Sequence, residues 1–185
     1  KASFQYKYDG MRVQIHKSGN KIIVFTRRLD NITKQFPELV EAAKKCIKAD
    51  NAIAEGEAVG IDPKSRKPQP FQKLSQRIKR KYGIEEMQKQ IPVEMNLFDI
   101  MYLNGKNLLD TPYKERWKKL QSIINETKDF HLAESLVTTD VKKVDEFYKK
   151  AMSLGHEGLM IKNLEAKYMP GSRVKYMYKH KIERE

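Results

Sequence analysis

The sequence predicts a single α+β domain, with antiparallel strands flanked by helices. Three observations predict it: short alternating apolar runs closed by turn residues, apolar stripes at helical spacing between them, and a length of 185 residues. That length suffices for one core and falls short of two ordinary domains. Hydrophobic residues make up 39% of the chain, with 7 Phe, 9 Tyr and 1 Trp, which excludes a disordered basic tail as the main state. The only cysteine, Cys46, has no partner for an internal disulfide, and neither an 18-residue apolar run nor a signal-peptide pattern occurs. A soluble intracellular protein, with no membrane partner, is therefore expected. Lys and Arg number 37 against 24 Asp and Glu, a formal charge of +13 that points to a polyanionic partner.

Residues 4 to 9 alternate into Val13 and Ile15, a Lys17-Ser18-Gly19-Asn20 turn follows, and Ile22 to Phe25 returns, so the chain opens with a hairpin. Phe36, Leu39, Val40, Ala43 and Ile47 fall at helical spacing, with Pro37 in the first turn, and predict a helix over 36–49. Ala52 to Ile61 reads as a strand ending at Asp62-Pro63, and Lys64 to Pro70 as a polar loop that is a candidate mobile segment. Helices follow over Phe71 to Lys81 and Ile84 to Gln90, then a strand over Val93 to Leu103 closed by Asn104-Gly105. Tyr113, Trp117, Leu120 and Ile124 form one helical core stripe, and Val141, Val144, Tyr148 and Met152 another, stopped by Gly155. Phe130 to Val137, Gly158 to Asn163 and Arg173 to Ile182 supply the remaining strands. Two basic clusters, Lys73, Arg77, Lys79, Arg80 and Lys81, and Arg173, Lys175, Lys179 and Lys181, are candidates for phosphate contact.

The sharpest local signal is Lys7-Tyr8-Asp9-Gly10-Met11-Arg12. Its K-x-D-G-x-R spacing fixes four identities and has chance odds of roughly a few in a thousand at this length. On a strand, Lys7 and Asp9 share a face, and Gly10 lets the backbone approach a ligand. Glu55/Glu57 and Lys179/Lys181 repeat the i, i+2 pattern. Charges of both signs on inward strand faces are costly in a dry core, so a hydrated groove holding phosphate and a divalent metal accounts for them better.

K-x-D-G-x-R resembles the nucleophile motif of the covalent nucleotidyltransferases, the superfamily of ATP-dependent DNA ligases, RNA ligases and messenger-RNA capping enzymes. The archaeal and eukaryotic DNA ligases are the most similar. Further segments match in order: Thr26-Arg27-Arg28-Leu29-Asp30, Glu55-Gly56-Glu57, Leu97-Phe98-Asp99-Ile100, Glu157-Gly158-Leu159-Met160-Ile161-Lys162, and Gly171 to Lys181. Phe71 to Arg77 and Leu108 to Leu120 resemble DNA ligases in particular.

The resemblance implies a nucleotidyltransferase fold of the DNA ligase adenylation type, related to ATP-grasp, around a nucleotide groove. It implies that Lys7 attacks the α-phosphate of ATP to form lysyl-AMP, and that Arg12 meets the ribose or a nucleic-acid phosphate. Arg27 contacts phosphate, with Arg28 as a second candidate, and Phe98 stacks on adenine. Glu57 serves as a ribose and metal-linked carboxylate, Glu157 as a second metal ligand for Mg²⁺ or Mn²⁺, and Arg173, Lys179 and Lys181 face the nucleotide phosphates. Free lysine titrates near ~10.4, so a nucleophilic lysine needs neighbouring cations, which also stabilise the transferring phosphate. Val174 and Met177 depart from the family's closing motif.

Gln5 stands where the family usually has glutamate facing the adenine amino group. Glutamine keeps an acceptor and adds a donor, so weaker discrimination against GTP is expected. The four histidines lack metal-ligand spacing and read as structural or surface residues.

The implied activity is that of a DNA ligase (ATP). It seals a 5′-phosphate to a 3′-hydroxyl in nicked double-stranded DNA and serves replication, repair and recombination. The alternatives are an RNA ligase, a capping-type enzyme, or an inactive nucleic-acid-binding module. Residues 1–185 read as the adenylation domain alone, the family's N-terminal DNA-binding and C-terminal OB domains lying outside this chain. The resemblance further implies a monomer, a sliding clamp bound through regions outside this chain, and a location in the archaeal cytoplasm or the eukaryotic nucleus.

Overall fold

The computed structural model describes residues 2–169 and the backbone of residues 177–180. The strands are β1 Ala2–Lys7, β2 Met11–Ser18, β3 Lys21–Thr26, β4 Asn51–Gly60, β5 Val93–Leu103, β6 Lys106–Asn107, β7 Phe130–Leu132, β8 Ser135–Thr138, β9 Gly158–Asn163 and β10 Met177–His180. The helices are α1 Pro37–Cys46, α2 Phe71–Ile78, α3 Ile84–Gln90, α4 Tyr113–Ile123 and α5 Val141–Ser153, with a single 3₁₀ turn at Thr33–Gln35. They flank a four-stranded sheet ordered β10-β9-β1-β8 and a six-stranded one in which β3-β2-β4-β5-β6 run antiparallel and β7 joins β5 in parallel.

The larger core lies against the six-stranded sheet. Val13 and Ile15 of β2, Ala52, Ala54 and Ala58 of β4, and Met95, Leu97 and Ile100 of β5 meet Leu39, Ala43 and Cys46 of α1 and Leu120 of α4. Pro37 opens α1 where its missing N–H costs nothing, and the alternation of the strands puts every second side chain inward. A smaller core of Tyr6, Ala151 and Leu159 joins α5 to the four-stranded sheet, with Tyr6 stacked on Phe147 at 4.7 Å between ring centroids.

The structure corrects several expectations. The alternation through residues 4 to 15 is two strands, not one. β1 ends at Lys7, and Tyr8-Asp9-Gly10 carries the chain from one sheet to the other before β2 forms the expected hairpin with β3. Gly10 is required by protein backbone, since a Cβ there would lie 2.2 Å from the Ala58 carbonyl oxygen. Phe130 to Val137 divides into β7 and β8, one in each sheet. On α5 the stripe runs past the narrow sheet: Val141 is 80% exposed, and the inward residues are Val144, Phe147, Tyr148 and Ala151. Arg77 does not serve phosphate. It is 1% exposed, bonded to Glu38, Gln35 O and Ile91 O, and lies over the Phe36 ring.

His131 ties β7 to β5. Its Nε2 lies 2.6 Å from Glu94 Oε1 and its Nδ1 2.9 Å from the Leu132 carbonyl oxygen. Both partners accept, so the two contacts together favour the imidazolium, in which both nitrogens donate. Burial opposes the charge, yet the Glu94 and Leu132 hydrogen bonds and the Glu94 and Glu126 carboxylates raise the pKa above the ordinary value. A raised histidine contributes stability that is complete below its unfolded pKa and lost as pH rises through the folded one. Urea unfolding should therefore give wild type a stability lower by about 1 kcal/mol at about pH 9 than at about pH 6 through this pair. Glu94→Gln should lack that component, and an equal pH dependence in the variant would contradict the assignment.

Candidate active site

Between the two sheets lies a cleft of about 800 Å³, open solvent at its mouth included. Gln5 and Lys7 of β1, Arg12 of β2, Arg27, Glu57 of β4, Phe98 of β5 and Met160 and Lys162 of β9 line it. Six residues singled out by the sequence, Gln5, Lys7, Arg12, Arg27, Glu57 and Phe98, thus meet in one cavity although 93 positions separate Gln5 from Phe98.

The Lys7 ammonium pairs with Glu157, which follows α5 and precedes β9. Register puts Gly158 opposite Lys7, and Met160 opposite Gln5 on one side and Lys179 on the other. The backbone of Lys179 is thus one strand away from the cleft wall; its side chain, and Arg173 and Lys181, lie outside the described residues. Asp9 is not on the Lys7 strand face; its carboxylate accepts from Phe71 N at the start of α2, at 3.4 Å.

Arg12 is held by Glu55, whose buried carboxylate also accepts from the Tyr168 hydroxyl at 2.6 Å and from Gln14 Nε2 at 3.3 Å. Glu55 therefore positions Arg12, while Glu57, opposite Arg12 in register, lines the cleft. Burial pushes the Glu57 carboxyl up to about 7; Arg12 opposes this, and the charges of Glu157, Glu55 and Asp9 add to it. Gly56 between them is fixed by backbone crowding, since a Cβ there would meet the Asn96 carbonyl oxygen at 2.3 Å.

Phe98 is half-buried and stands outside both cores, as a ring offered to a ligand must. Lys162 Nζ sits 4.0 Å from its centroid and Arg12 Cζ 5.5 Å. Burial lowers Lys162 to about 7; Asp99 and Glu55 favour its charge, Arg12 and Arg116 oppose it. Lys162 is a cleft residue that sequence reasoning left without a role, although it ends the E-G-x-x-x-K segment that gave Glu157. Asp99 and Arg116 were missed as well; they form a buried ion pair behind the cleft, with Arg116 Nε 2.8 Å from Asp99 Oδ1.

Among the described residues no three His, Cys, Asp or Glu side chains cluster as a complete metal cage. Glu57 and Glu157 nevertheless repel each other across the cleft, which a cation would relieve. Mg²⁺ commonly takes one or two carboxylates together with substrate phosphates, so the pair fits that ion alongside a nucleotide. No helix among the described residues is long and apolar enough to cross a membrane.

Known proteins resemble this chain in sequence and in fold. DNA ligases of Thermococcus onnurineus and Thermococcus fumicolans are 50% and 47% identical to the chain, each match covering 97% of this chain and 32% of the relative. The chain thus spans about one third of the length of the curated relatives it matches. The ligase domain of M. tuberculosis LigD superposes with a TM-score of 0.73 at 25% identity, covering 96% of this chain and 54% of that one. The family described as "ATP dependent DNA ligase domain" matches residues 1–181, a span that holds Lys7, Glu57, Phe98 and Glu157, and the chain belongs to that family.

Proposed function

We propose that the chain carries the nucleotidyl-transfer chemistry of an ATP-dependent DNA ligase. The observation that carries the reading is Lys7 at the end of β1, its amine held by Glu157 in a cleft with Arg12, Arg27, Glu57 and Phe98. The purine stacks on Phe98, and the α-phosphate lies beside Lys7. The ammonium proton passes to Glu157 or to solvent, and the free Nζ attacks the α-phosphorus. A P–N bond forms, the P–O bond to the leaving group breaks, and pyrophosphate departs.

Arg12, oriented by Glu55, and Arg27 place positive charge where the phosphoryl oxygens gain it. Mg²⁺ or Mn²⁺ bound by Glu57 and Glu157 together with the phosphates would supply further neutralisation of that charge. Lysyl-AMP then passes its adenylyl group to a 5′-phosphate at a nick in DNA. Attack by the adjacent 3′-hydroxyl seals the strand and releases AMP. The +13 net charge favours such a polyanionic substrate.

Chase of a labelled intermediate tests the reading. Protein labelled with α-labelled ATP should lose its label to nicked, 5′-phosphorylated duplex DNA and retain it when offered nicked RNA of the same sequence. Transfer to RNA alone would assign an RNA ligase, and no protein label at all would leave a nucleic-acid-binding module.

A further inference from the structure

We infer that Tyr113 is a positioning residue that fixes the Gln5 amide so that the cleft selects adenine over 6-oxopurines. The inference rests on the proposed placement of a purine on Phe98. Gln5 lines the cleft and is 2% exposed, so little solvent reaches its amide. Its Nε2 donates to the Tyr113 hydroxyl at 2.6 Å, and that hydroxyl donates to the Phe98 carbonyl oxygen at 2.9 Å.

The direction of this relay follows from chemistry. A carbonyl oxygen only accepts, so the single Tyr113 proton is committed to Phe98, and toward Gln5 the hydroxyl can only accept. Burial, with the Asp99 charge adding to it, raises the Tyr113 pKa and keeps that proton in place. The amide must therefore turn its NH₂ group to Tyr113. No described residue donates to Oε1, which is left as the amide's acceptor for the purine edge.

Adenine presents a 6-amino donor and guanine or hypoxanthine a 6-oxo acceptor. A fixed Oε1 pairs with the first and faces the second acceptor to acceptor. The ambiguity that a glutamine carries in sequence, donor or acceptor, is removed by a tyrosine 108 positions away. One hydroxyl thereby joins the residue reading the base edge to the backbone of the residue stacking on its face.

The test measures base preference and not rate. Titration calorimetry of the full chain with ATP, GTP and ITP should give wild type at least a tenfold preference for ATP over both, the size expected for one buried unpaired group. Tyr113→Phe keeps the ring and removes the relay, so the amide can flip and the preference should fall to within about threefold, set by the same loss. Adding Gln5→Glu to that variant should restore it, because a carboxylate accepts in either orientation.

A folded Tyr113→Phe protein with the wild-type preference would overturn the proposal. So would wild type that binds ITP as tightly as ATP, or binds no purine nucleotide, whatever the variant does. Preferential binding of ATP without covalent labelling would leave the relay standing and remove the ligase reading. Labelling by ATP and ITP alike would do the reverse.

Discussion

Lys7→Ala protein is expected to acquire no adenylyl group from ATP under any condition in which wild type does. The change removes the side-chain amine that β1 presents to the cleft, so the loss should be complete and not a matter of degree. Stability should barely move. The Lys7 side chain is 24% exposed and its partner Glu157 42%, and an ion pair that open contributes about 0–1 kcal/mol. Urea unfolding within about 1 kcal/mol of wild type, combined with absent label, is the expected pair of results. A label retained on the variant would move the nucleophile elsewhere.

The largest structural effect is expected behind the cleft. Arg116 Nε and Nη2 grip Asp99 at 2.8 and 3.2 Å, and Nη1 also bonds the Ala166 carbonyl oxygen at 2.9 Å, so one side chain joins β5, α4 and the segment after β9. Arg116→Met leaves the Asp99 carboxylate buried without its cation and should cost about 3 to 5 kcal/mol. At the size of this chain that lowers the melting temperature by ~10 °C. The double variant Asp99→Asn/Arg116→Met should recover part of the loss, because no unpaired charge then remains. A single-variant loss below about 1 kcal/mol would mean that the pair is not buried in solution.

These two sites mark what the chain's residues reveal before folding and what they do not. Lys7, Glu57, Phe98 and Glu157 sit in short segments whose identities and spacing are local, and β5, β9 and α3 were legible to the residue because Gly, Pro and Asn punctuate them. The break between β1 and β2 is marked only by a shift of phase, the apolar positions passing from Phe4, Tyr6 and Tyr8 to Met11, Val13 and Ile15, and the approach of Ala58 that excludes a side chain at Gly10 comes from a strand far along the chain. Arg77 read as a phosphate-contacting cation and Arg116 had no assigned role, because their partners, Glu38 and Asp99, lie 39 and 17 positions away. The roles of Glu55 and Tyr113 depend on Tyr168 and Gln5, contacts that no helical or strand periodicity encodes.

The central claim is that this chain forms a covalent adenylate on Lys7. Intact-mass measurement of the full chain after incubation with ATP and Mg²⁺, followed by peptide mapping, tests it most directly. The account predicts a mass increase of one adenylyl group, located on the peptide holding Lys7, reversed by added pyrophosphate and absent in Lys7→Ala. Unmodified protein under conditions in which ATP is bound, or an adduct on any other residue, would contradict it.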